Sequence, residues 1–354
     1  MLDINDFAAV FASDASGGDI YPHPTVNAIR ANRRTLGGTL FFDRLLAQLH
    51  VKSGYLYPPS KNADLRELHE RITTSPIADH YKQSLLFYLL KDSSGESSSQ
   101  PGDFAKSVCL PQKYWTVIQG LWHMDRLQFI NALESLTDPS LLPTFPEDVL
   151  RVLLEHAATA TNDPVDHHSH HHNRHHLQNG GHGGGGGGNS TQHLPLAYYN
   201  AVRPPLSSSP ELQRAYFRYL AGLSVPQAYF FARAQPSQDQ RALLELLIQE
   251  AMAPAAAEAR ARRTEELVDL PLTEEEEGWF EEFLLEGKGR ALHASRDTVM
   301  ARRLALGKYP DAVDVGKDLS GRRFNDVTWD GVKDILSAGL GSRATEGVFK
   351  MAEF

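Results

Sequence analysis

Apolar residues recur along this chain at helical spacing, and almost nowhere do they alternate in the two-residue rhythm of a strand. Leu65, Leu68 and Ile72 fall at i, i+3 and i+7. Tyr81, Leu85, Tyr88 and Leu89 follow the same rule, while Leu86 and Leu90 add a second apolar face. A helix apolar on two faces needs neighbours on both, so the segment 81–91 is predicted to lie centrally. Trp115, Ile118 and Trp122 mark another stripe, and Phe129, Leu133 and Leu136 the next. Further helical stripes are predicted over 149–156, 196–202, 212–223, 225–234 and 240–252.

Start and stop signals agree with this spacing. Residues 93–102 form a Ser/Gly/Pro-rich loop, and 138–146 hold three prolines that keep two helices apart. Pro146 followed by Glu147 and Asp148 opens a helix, because proline suits the first position and acids complement the positive dipole end. Ser209 before Pro210 is a second such start, and Thr273 with Glu276 fits a capping box. That box opens a helix carrying Trp279, Phe280, Phe283 and Leu284. The predicted fold is all-α, an irregular α-solenoid of stacked antiparallel helix pairs. A small residue precedes an aromatic at Ala197-Tyr198, Ala228-Tyr229 and, more loosely, Gly307 before Tyr309, but no fixed period recurs.

One stretch breaks the pattern. Residues 166–182 carry eight histidines and 180–188 carry eight glycines, with almost nothing apolar to bury. Such a segment cannot offset an ordering entropy of ~1–2 kcal/mol per backbone residue. The expected organisation is therefore a helical half over 1–158, a disordered His/Gly insert over 159–193, a second helical half over 194–310, and a loosely ordered tail over 311–354.

Composition narrows the field of functions. The chain has 354 residues, 41% of them hydrophobic, which is enough for a real core. A net charge of −9 and a pI near 6.0 argue against coating nucleic acid by charge. No apolar run approaches the ~20 residues needed to cross a bilayer. The opening residues 1–11 contain Asp3 and Asp6 and lack a basic signal-peptide start, so a soluble intracellular protein is expected.

Candidate chemistry is sparse. Neutral imidazoles bind zinc or nickel, yet a glycine-flanked tract gives no tetrahedral scaffold, so loose metal affinity at most is expected of the insert. His69-Glu70 lacks the second histidine of a zinc-protease helix, with Thr73 in its place. The scattered histidines are expected exposed or at the core edge. Cys109 lies between Val108 and Leu110 and is expected to be a small core residue. Lys288 and Arg290, alternating with Gly287 and Gly289, read as a helix-end linker rather than a phosphate site. Arg260, Arg262 and Arg263, with Glu258, Glu265 and Glu266, read as a solvated, salt-bridged helix face. Neither nucleophile elbow, phosphate-binding loop nor dinucleotide fingerprint is present. No catalytic residue, cofactor or resident metal is expected.

Several segments together resemble a known family. They are Leu40-Phe41-Phe42-Asp43-Arg44-Leu45-Leu46, Tyr57-Pro58-Pro59 with Asn62-Ala63-Asp64-Leu65, and the run from His80 through Tyr88 to Asp92. Others are Gly120-Leu121-Trp122 through Asp125-Arg126-Leu127-Gln128-Phe129, and Ala132-Leu133-Glu134 through Pro139-Ser140-Leu141-Leu142-Pro143-Thr144-Phe145-Pro146. Leu196-Ala197-Tyr198-Tyr199, Ala228-Tyr229-Phe230-Phe231-Ala232-Arg233 and Asp297-Thr298-Val299-Met300 with Arg302-Arg303 complete the set. In this order, from about 37 to 308, they resemble the ELYS-like domain of fungal nuclear pore proteins.

The resemblance implies an all-helical, non-catalytic subunit at the periphery of the Y-shaped nuclear pore scaffold. It implies partners on that complex's short arm, namely the small WD-repeat propeller subunit and the large nucleoporin that carries it. It implies residence at the nuclear pore complex of the nuclear envelope and support of protein and mRNA transport. The DNA-binding hooks of animal relatives have no counterpart here, so no direct DNA binding is expected, nor a small-molecule substrate. Interface residues do not carry over. Tyr55 and Tyr57, beside Pro58 and Pro59, are candidate anchors for a partner, with packing against helix ends the equal alternative. Two other readings of the residues stay open: a helical enzyme whose site forms only in three dimensions, and a cytosolic helical-repeat adaptor for short peptides. Deleting 166–188 is expected to shift the melting temperature of the full chain by no more than a degree or two, as scanning calorimetry would show.

Overall fold

The structure, a computed structural model, describes residues 2–11, 19–52, 56–94, 98–162, 192–254, 256–315, 321, 323–324 and 327–337. The His/Gly insert 166–188 and the residues after 337 lie outside the described residues. Among the described residues the protein is all-α apart from one short hairpin. Two compact units divide the chain at Ser208/Ser209.

The first unit contains α1 (Phe7–Val10), α2 (His23–Thr35), α3 (Phe41–Gln48), α4 (Asn62–Thr74), α5 (Asp79–Ser94) and α6 (Gln100–Ser107). It continues with α7 (Gln112–Asp125), α8 (Phe129–Leu136), α9 (Pro146–Asn162) and α10 (Leu194–Val202). As the doubled stripe predicts, α5 is central: every residue from Gln83 to Leu90 is buried, and α4, α6 and α7 pack against it. Helix α7 joins the rest, touching α2, α3, α5 and α8. Gly120 lets α8 approach closely, since a Cβ there would stand 2.6 Å from Leu136 Cδ2. Beyond the insert, α10 packs on α8 and α9, so this unit runs on to Ser208 instead of ending before the insert.

The second unit contains α11 (Pro210–Leu223), α12 (Val225–Arg233), α13 (Ser237–Met252), α14 (Ala257–Val268), α15 (Glu274–Leu285) and α16 (Ser295–Ala305). Helix contacts run from each to the next but one, α11 to α13, α12 to α14, α13 to α15 and α14 to α16. The expected caps are in place. Ser209 accepts the Leu212 N–H, and Thr273 accepts that of Glu276 while Glu276 returns to the Thr273 N–H. Part of the expected loose tail is regular: α17 (Tyr309–Val315), β1 (Arg323–Phe324) paired antiparallel with β2 (Val327–Thr328), and α18 (Trp329–Ser337). Ala312 and Val332 pack with Met300, which joins α17 and α18 to α16.

The expected linker after α15 is a packed 3₁₀ turn over Lys288–Ala291. Gly289 lies under Phe283, whose ring carbon would be 2.5 Å from a Cβ at that position. The expected salt-bridged face of α14 is only partly so. Arg262 reaches Glu266 at 3.9 Å, whereas Arg260 and Arg263 donate to the Pro254 and Gly222 carbonyls.

Arg302 of α16 is buried and holds three elements together. Its guanidinium donates to the Val268 carbonyl at the end of α14 and to both carboxylate oxygens of Glu277 in the first turn of α15. Arg303 beside it forms a two-pronged pair with Glu281 at 2.8 and 2.7 Å. Replacing Arg302 with Met would strand a shielded carboxylate and a buried carbonyl. The Arg302→Met protein is expected to lose about 3 kcal/mol or more in urea denaturation. A loss below about 1 kcal/mol would mean that water replaces the guanidinium without penalty.

Candidate interaction surface

Two aspartates decide the geometry of the first unit, and both come from apolar stripes. Asp92 sits on the buried side of α5, four residues after Tyr88; Asp125 ends α7, three residues after Trp122. The first N–H groups of α3 have no partner within their own helix, and Leu40 at the cap position has no side-chain acceptor. Asp125 takes that place from 84 residues away, accepting Phe41 N–H at 2.7 Å and Phe42 N–H at 2.9 Å. Its second oxygen also accepts the Tyr88 hydroxyl at 2.7 Å. Asp43, inside the same helix turn, accepts the Leu40 N–H and is gripped by Arg33 of α2.

Asp92 is the second centre. It accepts Tyr57 Oη at 2.6 Å and Trp122 Nε1 at 2.8 Å, with Arg126 Nη2 at 3.5 Å. Phe42 stacks on Tyr88 with ring centroids 4.1 Å apart, filling the space between the two carboxylates' tyrosines. Burial pushes the Asp125 carboxyl up to about 7, against the pull of its hydrogen bonds to Tyr88, Phe41 and Phe42. Burial likewise raises Asp92, with Tyr57, Arg126 and Trp122 opposing, and raises the Tyr57 and Tyr88 hydroxyls. Paired buried carboxylates suggest acid–base chemistry. Here, however, the partners described are backbone amides, tyrosines, an indole and an arginine of the chain itself, arranged as ties between helices.

The structure relocates several candidate residues. Tyr55 lies outside the described residues. Tyr57 is 4% exposed with its hydroxyl on Asp92, so it belongs to the core and has no ring face to offer a partner. Cys109 is exposed, contrary to the core position expected of it. It occupies the left-handed position after α6, φ 55°, where the Leu110 N–H reaches back to the Ala105 carbonyl. That turn buries Val108 and Leu110 and rotates the residue between them outward. His69, expected exposed or at the core edge, is buried and bonds the Ile4 carbonyl at 2.9 Å. Among the described residues no three His, Cys, Asp or Glu side chains converge as metal ligands. No helix there is long and apolar enough to cross a membrane.

The surface departs from expectation at a few apolar side chains. In the first unit Leu142 is 88% exposed in the loop between α8 and α9, and Ile130 on α8 is 49% exposed. Tyr81 at the start of α5 borders His80 and Tyr114. In the second unit Phe230 on α12 is 57% exposed. Sequence spacing alone does not find Ile130, Tyr81 or Phe230, because each sits inside or beside a stripe of buried apolar neighbours, whereas Leu142 lies in a proline loop with no stripe to read.

These features define an all-α protein stiffened by buried polar ties and carrying isolated apolar side chains outside. The chain belongs to the ELYS family: the family model, described as nuclear pore complex assembly, matches residues 39–287. The matched segment takes in Asp43, Tyr57, Tyr88, Asp92, Asp125, Leu142 and Phe230, and ends before Arg302. The chain is also similar to the uncharacterized protein ely5 of Schizosaccharomyces pombe, 33% identical over 136 residues. That similarity covers 38% of this chain and 44% of the relative's length.

A titration follows from the raised Asp125 carboxyl. Between pH 4, where an unfolded aspartate ionises, and about pH 7, the folded state keeps a proton that the unfolded chain has released. Asp125 therefore contributes stability that is full below about pH 4 and lost as pH rises through about 7, by at most ~4 kcal/mol. Asp125→Asn is expected to be less stable at every pH, since its amide oxygen can accept from only one of the Phe41 and Phe42 N–H groups and its NH2 meets the other donor to donor. It is also expected to show a flatter fall in urea stability between pH 5 and pH 8. An unchanged slope would count against burial as the dominant influence on this group.

Proposed function

We propose that this chain is a structural nucleoporin, a solenoid-like helical scaffold that docks on the Y-shaped nuclear pore subcomplex. It works by protein–protein binding and carries out no reaction. Its partners are the short-arm nucleoporins, the small WD-repeat propeller subunit and the large subunit that carries it. By holding them it supports pore assembly, and through it nucleocytoplasmic transport of protein and mRNA, at the nuclear envelope. One observation carries this reading: the family model for nuclear pore complex assembly matches 39–287, most of the chain and parts of both units. The internal chemistry is in keeping with it, because the strongest ionisable groups serve as ties between helices. A scaffold contact needs on the order of 1,200–2,000 Å² of buried surface and a few anchors, and does not need a reactive cleft.

The test uses the full chain as bait for a reconstituted Y-shaped nucleoporin subcomplex, with a fluorescent fusion imaged in fungal cells. Co-elution with the short-arm subunits and a signal at the nuclear rim are expected. A chain that elutes alone and spreads through the cytosol would overturn the proposal.

A further inference from the structure

The loop between α8 and α9 holds a large aliphatic side chain almost wholly in water. Leu142 is 88% exposed, the most of any large apolar residue among those described. The loop is nevertheless well braced. Asp138 Oδ1 accepts the Ser140 N–H at 2.8 Å, its carbonyl accepts the Leu141 N–H, and Pro139, Pro143 and Pro146 restrict the backbone. At the far end Phe145 takes a left-handed conformation, φ 53°, caps the first turn of α9 through its carbonyl and leans on Phe41. Left-handed backbone at a bulky residue is strained, so packing holds the turn that carries Leu142.

Two carboxylates precede this side chain without a cationic partner among the described residues. Ile130 and Glu134 lie four apart on the exposed side of α8, and Asp138 follows one turn later, just before the loop. No lysine or arginine among the described residues pairs with Glu134 or Asp138. Two arginines stand by the start of α9, Arg44 of α3 and Arg151 of α9, and both face Asp148. The exposed Phe230 of the second unit differs, because its neighbouring Arg233 already meets Glu276 at 3.6 Å.

Resting on the nucleoporin reading above, we infer that the turn bearing Leu142 is a docking site whose partner is a nucleoporin surface with an apolar pocket bordered by Lys or Arg. A leucine projected from a rigid turn loses little conformational freedom when it enters a pocket. Unpaired carboxylates beside it select a basic border and speed association. A second copy of this chain is a poor occupant, since the chain carries a net charge of −9 and would bring acid against acid.

The experiment measures binding of full-length variants to the reconstituted Y-shaped subcomplex by interferometry at two salt concentrations, with melting temperatures taken alongside. Leu142→Asp removes no internal contact, so it is expected to melt like the unaltered chain and bind about thirtyfold or more weakly. Glu134→Lys is expected to slow association and to weaken the salt dependence, while Phe230→Asp stays within about threefold of the unaltered affinity. If the unaltered chain binds and Leu142→Asp binds within about threefold of it, this face is wrong although the nucleoporin reading stands. Absence of binding by the unaltered chain overturns both. An unaltered chain that is dimeric by light scattering, and that Leu142→Asp renders monomeric, also overturns the choice of partner.

Discussion

The first unit depends on a cap that its own helix cannot supply. Helix α3 begins at Leu40-Phe41-Phe42, three large apolar residues with no side-chain oxygen to receive their N–H groups. Buried and unpaired, each such donor would cost about 1–3 kcal/mol. Asp125 receives two of them and Asp43 the third, so α3 starts only where the end of α7 is already present. Tyr88 on the same carboxylate brings in α5, and Asn32 on the Asp125 carbonyl brings in α2. One residue, through its carboxylate and its carbonyl, thereby couples four helices, and the apolar packing around it has a single register in which those bonds close. Hydrophobic burial supplies the drive to collapse, but it is nearly indifferent to small slides of one helix along another. Directional bonds to a shielded carboxylate remove that freedom.

The second unit solves the same problem with the opposite charge. Arg302 is shielded as Asp125 is, and it too ties helix ends, taking the last carbonyl of α14, that of Val268, and the carboxylate of Glu277 in the first turn of α15. Glu276, next to Glu277, closes its own capping box and also accepts the Tyr229 hydroxyl of α12. The acidic run 274–277 thus serves the helix dipole and the tertiary packing together. In both units polar groups at helix ends set how the helices meet.

What could be read from the chain, and what could not, follows from the range of each interaction. The doubled stripe of α5, the Ser209-Pro210 start and the Thr273–Glu276 box are local, written within one or two turns, and the structure contains all three. Asp92 and Asp125 gave one signal, an acid falling on an apolar stripe, but their partners lie 30 to 84 residues away and no spacing points to them. Cys109 was misjudged because two buried neighbours imply a buried residue only where the backbone is regular. After α6 the chain turns through a left-handed residue, and that rotation exposes the middle of an apolar triplet. For Tyr57 the sequence left a partner anchor and packing against helix ends equally open, because a Pro-Pro loop gives no sign of the buried carboxylate that its hydroxyl meets. The hairpin at 323–328, two residues per strand, is too short to show any alternation.

The distribution of side chains then bears on function by inversion. Acids and an arginine are spent inside, where they fix geometry, while Leu142, Ile130 and Phe230 are left in water. An exposed leucine on a flexible loop would be unremarkable, since isolated apolar side chains are common on protein surfaces. This one stands on a turn held by an aspartate cap, three prolines and a strained Phe145 whose ring rests on Phe41, the residue whose N–H Asp125 receives. The exposed side chain is therefore linked through two contacts to the bond that sets the register of the first unit. A leucine held in this way keeps one position before any pocket meets it, so entering a pocket would cost it little conformational freedom.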